Sequence, residues 1–342
     1  MAPFELNGTW SYRTRSLLVL SWSTIYVSAR RLLRGPLLPN WNWGFEVATH
    51  FLKTQTRIAF QMPDVSDGRE YEDALVFNSP ALGQVKVQPV KDGVYGHWYI
   101  PKCETRDITV LYLHGGGYAF YSKAHQNLIA LIALAAKSQT FALDYRLIPE
   151  HPFPAQLEDA VAAYQWLLKN GVQAQEIVIA GDSAGGNLAL SLLISLRDTR
   201  IPLPGLVICI SPWTDLGNSG ASMIENELYD WVKKQMAEKW AQWFCKNANP
   251  RDPLVSPVHA DLGGLPPIYI QAGSAEILHD MILAFADHGR KQGANIILDV
   301  WKNMNHDFQA FGDRTPESKE ALERIDQVIR QHMHSHPHNQ RA

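Results

Sequence analysis

The sequence predicts an α/β fold, a mostly parallel sheet covered by helices on both faces. Two observations predict it. From residue 84 onward, short runs rich in Val, Ile and Leu alternate with longer helical stretches. That is the pattern of parallel strands joined by crossover helices. Two glycine-rich turns, His114-Gly115-Gly116-Gly117 and Gly181-Asp182-Ser183-Ala184-Gly185, each fall where a strand run hands over to a helical one. The composition, 46% hydrophobic and 19% charged over 342 residues, is that of a globular chain with a sizeable core.

The elements follow in order. Residues 84–90 and 93–100 read as an antiparallel pair joined through Lys91, Asp92 and Gly93. Next come a strand at 108–113, a helix at 125–137, a strand at 140–145 and a helix at 154–170. A strand at 176–180, a helix at 186–198 and a strand at 205–210 continue the alternation. The last part gives a strand at 267–271, a helix at 279–292, a strand at 295–301 and a helix at 316–332. The strand runs are continuously apolar, as in Ile177-Val178-Ile179-Ala180, which suits strands buried on both faces. The helix after Gly185 carries Leu188, Leu190, Leu192, Leu193 and Leu196.

Two segments break the alternation. One is the tryptophan-rich region 1–80, with Trp10, Trp22, Trp41 and Trp43; the other is 213–257, with Trp231, Trp240 and Trp243 on an expected helix. Such insertions beside a sheet commonly form a lid over an apolar pocket. Most of these tryptophans are expected to pack between helices, and a few to line the pocket. The expected organisation is a cap region at 1–80, a main domain at 81–333 with a cap insertion at 213–257, and a disordered histidine-rich tail at 334–342. There are no internal repeats.

Residues 16–29 are uncharged and flanked by Arg13, Arg15, Arg30, Arg31 and Arg34. The run is shorter than the ~20 residues of a spanning helix, and serines dilute it. It reads as a cap helix or an interfacial membrane anchor. A signal peptide (Val27-Ser28-Ala29 resembles a cleavage site), a signal anchor and a spanning helix are the alternatives. The cytoplasm is the expected compartment, with the endoplasmic reticulum or another membrane as the alternative. Cys103, Cys209 and Cys245 are odd in number and widely spaced, so no disulfide framework is expected. A net charge of −3 gives no reason to expect nucleic acid. No C-x-x-C pair suggests a metal, and Gly115-Gly116-Gly117 lacks the Lys-Ser/Thr that follows a phosphate-cradling loop. Neither cofactor nor metal is expected.

The chemistry centres on Ser183. A serine on a sharp strand–turn–helix elbow projects its hydroxyl above the sheet, and flanking glycines let the backbone turn. The run Gly115-Gly116-Gly117 exposes backbone N–H groups able to meet a developing oxyanion. Gly115, Gly116 and Ala184 are the candidate donors. A serine nucleophile needs a histidine to take its proton and an acid to orient that histidine. With such an elbow the chain order is Ser, acid, His. His306 follows the last strand run; His259 precedes the acid candidates, and His279 and His288 fall on a helix. The loop after 267–271 offers Glu276 at the strand's end and Asp280 four residues on. Glu276 is the first choice and Asp280 stays open.

On these motifs, with Asp144-Tyr145-Arg146-Leu147 and Pro149-Glu150-His151-Pro152-Phe153-Pro154, the chain resembles the hormone-sensitive lipase-like, G-D-x-G lipolytic esterases of the α/β-hydrolase fold. The resemblance covers roughly 85–312. It aligns Glu276-Ile277-Leu278-His279-Asp280 with the family's D-P-L-x-D acid motif, Glu276 replacing the first Asp, and implies that Asp144 and Arg146 are structural. It implies a serine carboxylesterase for short-acyl esters, with Ser183, Glu276 and His306 as triad. The tryptophan-rich segments suggest a large apolar alcohol, such as a sterol or polyketide acetate. The alternatives are an amidase or deacetylase, a lyase or acyl-transfer enzyme, and a non-catalytic receptor. A small-molecule ester is the expected partner, with peripheral membrane association as a further expectation; oligomeric state is not legible.

Overall fold

The computed structural model describes residues 4–333. The expected tail at 334–342 lies outside the described residues. Eight strands form the main sheet: β3 (Val85–Val90), β4 (Gly96–Pro101), β5 (Thr109–Leu113), β6 (Gln139–Leu143), β7 (Ile177–Asp182), β8 (Leu206–Ile210), β9 (Ile268–Gly273) and β10 (Ile296–Trp301). Their order is β10-β9-β8-β7-β5-β6-β4-β3. The β3–β4 and β4–β6 pairs are antiparallel and the other pairs in this sheet are parallel.

Strand alternation builds two cores. Leu111, Leu113, Ile177 and Ile179 face one side, with Leu157 and Tyr164 of α5 (Ala155–Lys169), Leu188 of α6 (Ser183–Asp198) and Phe285 of α9 (His279–Lys291). Val110, Tyr112, Val178 and Ala180 face the other, with Leu128 and Ile132 of α4 (Lys123–Ala136) and Ile325 and Ile329 of α10 (Pro316–His332). The period of two along each strand assigns consecutive residues to opposite faces. Because both faces are covered, the strands read as unbroken apolar runs.

The region before β3 is helical. A two-stranded sheet, β1 (Phe4–Leu6) with β2 (Leu75–Phe77), ties down α1 (Trp10–Arg34), α2 (Trp43–Phe60) and α3 (Val65–Glu72). Thr9 and Asn42 cap α1 and α2 through their side chains. Glu46, 3% exposed, holds the α1–α2 corner. Its carboxylate pairs with Arg30, accepts from Arg31 at 2.6 Å and accepts the Leu37 N–H at 2.7 Å. Two of the arginines that flank the uncharged run are therefore used inside the cap. Leu18, Trp22, Ile25, Leu32 and Leu33 of α1 remain exposed. Among the described residues no helix is long and apolar enough to cross a membrane.

In the second insertion, α7 (Ser222–Glu225) and α8 (Lys234–Cys245) follow β8. Trp240 and Trp243 lie on α8, but Trp231 precedes it rather than sharing the helix. The helix expected to begin near Gly185 begins at Ser183.

Candidate active site

The loops at the carboxyl ends of the parallel strands converge beside β5 and β7, where the connections turn to opposite sides of the sheet. Open α/β sheets bind ligands at that kind of crevice. Ser183 opens α6 immediately after β7, with φ 53°. A left-handed serine is strained and persists only where its surroundings force it. A Cβ on Gly181 would strike the Gly185 carbonyl, and one on Gly185 would strike the Leu113 carbonyl. Only glycines permit the tight elbow, and the half-buried Ser183 is the residue it presents.

The second glycine turn follows β5. Gly116 has φ 93°, and a Cβ there would strike the Phe120 carbonyl. His114 anchors this loop. Its ring is stacked between Tyr121 and Tyr145, with centroids 3.9 and 4.1 Å away. Its Nδ1 lies 2.7 Å from the Gly115 carbonyl, and the Tyr145 hydroxyl donates to the His114 carbonyl at 2.6 Å. Burial holds the His114 imidazole well below its ordinary value, hence neutral. Ala184, the second residue of α6, has an N–H with no acceptor one turn back in its own helix.

The structure separates the two acid candidates. Glu276, fully buried, places Oε2 3.0 Å from His306 Nδ1, and its Oε1 accepts the Gly273 N–H at 2.9 Å. Asp280 instead accepts the Ser222 N–H at 2.9 Å, bracing the start of α7. Asp144 lies 3.3 Å from His97, and Arg146 pairs with Glu158 and Asp159 on α5; neither contacts the triad candidates.

Two carboxylates that sequence reasoning did not single out complete the electrostatics. Asp307 sits 3.2 Å from His306 Nε2 through Oδ2. Asp230, fully buried, accepts the Ile277 N–H at 2.7 Å and the Trp231 N–H at 2.7 Å. Burial alone would lower the His306 value, but Asp307, Glu276 and Asp230 outweigh it and push it up to about 10. Burial raises Asp230 to about 6, against the pull of His306, and raises Asp307 well above the carboxylate range. The recorded contact of Nε2 is Asp307; among the described residues no hydrogen bond joins Ser183 to His306. The Asp next to His306 was the one available sequence signal.

Of the tryptophans in the second insertion, Trp231 faces this centre: its Nε1 donates to the His306 carbonyl at 2.9 Å, and its ring lies 5.3 Å from the imidazole. Trp240 packs under Gly117 and against Phe60 and Phe120. A cavity of about 160 Å³ adjoins the centre, lined by Asp182, Trp231 and Asp307 and by residues of α2, α3, β2 and α4. It is smaller than the roughly 300–1,000 Å³ of drug-sized pockets. A fused-ring alcohol such as a sterol would have to project beyond it.

Comparison with known proteins agrees with this architecture. Residues 110–310 match a family model described as alpha/beta hydrolase fold. An acetyl-hydrolase of Streptomyces hygroscopicus is 41% identical over 253 residues, 71% of this chain and 83% of that protein. An esterase of Acinetobacter venetianus is 30% identical over 285 residues, 82% of this chain and 94% of that protein. A crystal structure of an esterase from the bacterial hormone-sensitive lipase family superposes with TM-score 0.76 at 36% identity, covering 83% of this chain and 97% of that one. The strand order, the glycine-rich turns and these likenesses agree: the chain belongs to the hormone-sensitive lipase-like esterases of the α/β-hydrolase fold.

Proposed function

We propose that the protein is a serine carboxylesterase that hydrolyses short-acyl esters, acetates foremost. Ser183 is the nucleophile, His306 the general base and Glu276 its orienting acid. The buried Glu276–His306 hydrogen bond of 3.0 Å is the observation that carries this reading. It fixes the imidazole with Nδ1 toward the acid, leaving Nε2 as the working nitrogen. The acetyl-hydrolase relative supports acetate as the acyl group.

Neutral His306 takes the Ser183 proton as Oγ attacks the ester carbonyl. The N–H groups of Gly115, Gly116 and Ala184 hold the oxyanion, each such donor being worth about 3 kcal/mol in well-studied hydrolases. The imidazolium then protonates the leaving alcohol. Water, deprotonated by His306, attacks the acyl-enzyme carbonyl, and the imidazolium returns that proton to Ser183 Oγ as the acid leaves. In this cycle Nε2 exchanges Asp307 for the Ser183 hydroxyl. Working geometry tightening only in the substrate complex is ordinary for such sites.

The test is hydrolysis of p-nitrophenyl esters from acetate to palmitate, wild type beside Ser183→Ala. Serine-dependent cleavage that falls as the acyl chain grows is the expected result. No cleavage by a folded wild-type protein would refute the proposal.

A further inference from the structure

The long cap helix α1 turns polar residues inward and apolar ones outward. Beside Val19 and Val27, its sheltered side carries Ser16 and Ser23, both fully buried. Ser16 Oγ accepts from Gln55 Nε2 of α2 at 2.8 Å, and Ser23 Oγ lies 2.9 Å from His50 Nδ1 of α2. The open side carries Leu18, Trp22, Ile25, Ala29 and Leu32 at the spacing of one helical face, with Leu33 beside them. Trp22 and Ile25 are 59% and 63% exposed, Leu32 and Leu33 87% and 83%. Trp43 of α2, half exposed, joins this surface, its Nε1 donating to Ser28 Oγ at 3.0 Å. Scattered exposed apolar side chains are ordinary, but a contiguous stripe marks an interaction surface.

Charge narrows the partner. The helix has five arginines and no Asp or Glu. Glu46 takes Arg30 and Arg31. Arg34 stays exposed at one end of the stripe, and Arg15, seated over the Tyr71 ring, at the other. Asp67 and Glu70 of α3 act on Tyr12, near the helix start and outside the stripe. An apolar stripe with basic ends and exposed tryptophans suits a helix lying in the headgroup region of an anionic bilayer. A second copy of the chain fits worse. A 25-residue helix is about 37 Å long and ~10 Å wide, so its face offers roughly 400 Å², half the ~800 Å² each partner of a stable complex buries. Antiparallel pairing would also set Arg15 of one copy against Arg34 of the other, with no acid on either helix to offset them.

We propose that α1 docks in plane on an anionic lipid surface through Leu18, Trp22, Ile25, Leu32 and Leu33. The inference does not depend on the esterase reading. Docking holds the cavity beside His306 one helix layer from the lipid, because Phe51, Leu52 and Leu75 pack with Val19 of α1 and also line that cavity.

The test is co-sedimentation of the full chain with vesicles of phosphatidylcholine and phosphatidylserine in about a 2:1 ratio, and with phosphatidylcholine alone. Wild type is expected to partition onto the anionic vesicles, with a blue shift of tryptophan emission, and to leave them as salt rises. Trp22→Glu with Ile25→Glu should lower that partitioning about tenfold or more. Leu32→Ser with Leu33→Ser, at side chains almost fully in solvent, should weaken it without disturbing the fold. Circular dichroism and the urea midpoint check each variant. Arg15→Gln with Arg34→Gln should weaken binding to anionic vesicles several-fold and leave neutral vesicles unaffected. Failure of folded wild type to bind the anionic vesicles, or binding that survives both apolar double variants, would overturn the proposal. Light scattering tests the rival: a wild-type dimer that Trp22→Glu with Ile25→Glu splits would give this face to a second copy and also overturn it.

Discussion

Asp307→Asn tests the electrostatics of the site most directly. The substitution preserves shape, and asparagine tolerates the left-handed backbone that residue 307 adopts, with φ 52° and ψ 34°. In wild type, Asp307 Oδ2 stands 3.2 Å from His306 Nε2. Two unit charges at that separation attract by about 5 kcal/mol at an effective dielectric of ~20. That figure is an upper bound, because burial raises Asp307 and works against its charged form. A neighbouring carboxylate ordinarily raises a histidine by about one to three units. His306 is pushed up to about 10, and an imidazolium cannot accept the serine proton. Wild-type kcat/KM on p-nitrophenyl acetate should therefore still be rising through alkaline pH, since this parameter reports the free enzyme. Asp307→Asn should move that rising limb down by about one to three pH units and increase activity at neutral pH. Stability has the opposite sense. The contribution of the charged His306 is fully present below its ordinary 6.5 and is lost as pH rises through about 10. A limb that stays where wild type has it, or moves to higher pH, would refute the reasoning.

Other outcomes follow from the same geometry. Ser183→Ala and His306→Ala should each lower kcat by about a thousandfold or more, with circular dichroism unchanged. Glu276→Ala should cost far more activity than Asp280→Ala; the reverse ranking would mean that the acid has been misassigned. Tyr145→Phe removes the hydroxyl that holds the His114 carbonyl. It should lower kcat about tenfold with little change in KM, because it loosens the oxyanion loop rather than the substrate pocket. Glu46→Ala leaves Arg30 and Arg31 without their shared carboxylate. Both arginines reach solvent, so urea denaturation should show a loss of about 1–3 kcal/mol rather than collapse of the fold.

The parts of this protein legible in its sequence are those whose chemistry is local. Strands buried on both faces had to be continuous apolar runs, so β5, β7 and β9 stand out without a structure. Ser183 and the glycines around it form one contiguous turn, and Glu276 and His306 each follow a strand end in the expected order. Glu276 over Asp280 was open in sequence because both carboxylates lie on one short segment; only the direction of each side chain separates them. The run at 16–29 is flanked by arginines whose use the sequence leaves open between a cap helix and an interfacial anchor; Glu46, from the next helix, pairs with two of them. Asp307 makes the same point at the reactive centre. It touches His306 Nε2, so on the proposed mechanism the neighbour in sequence is also the rival of Ser183, and the pH at which the enzyme works should depend on which of the two holds that nitrogen.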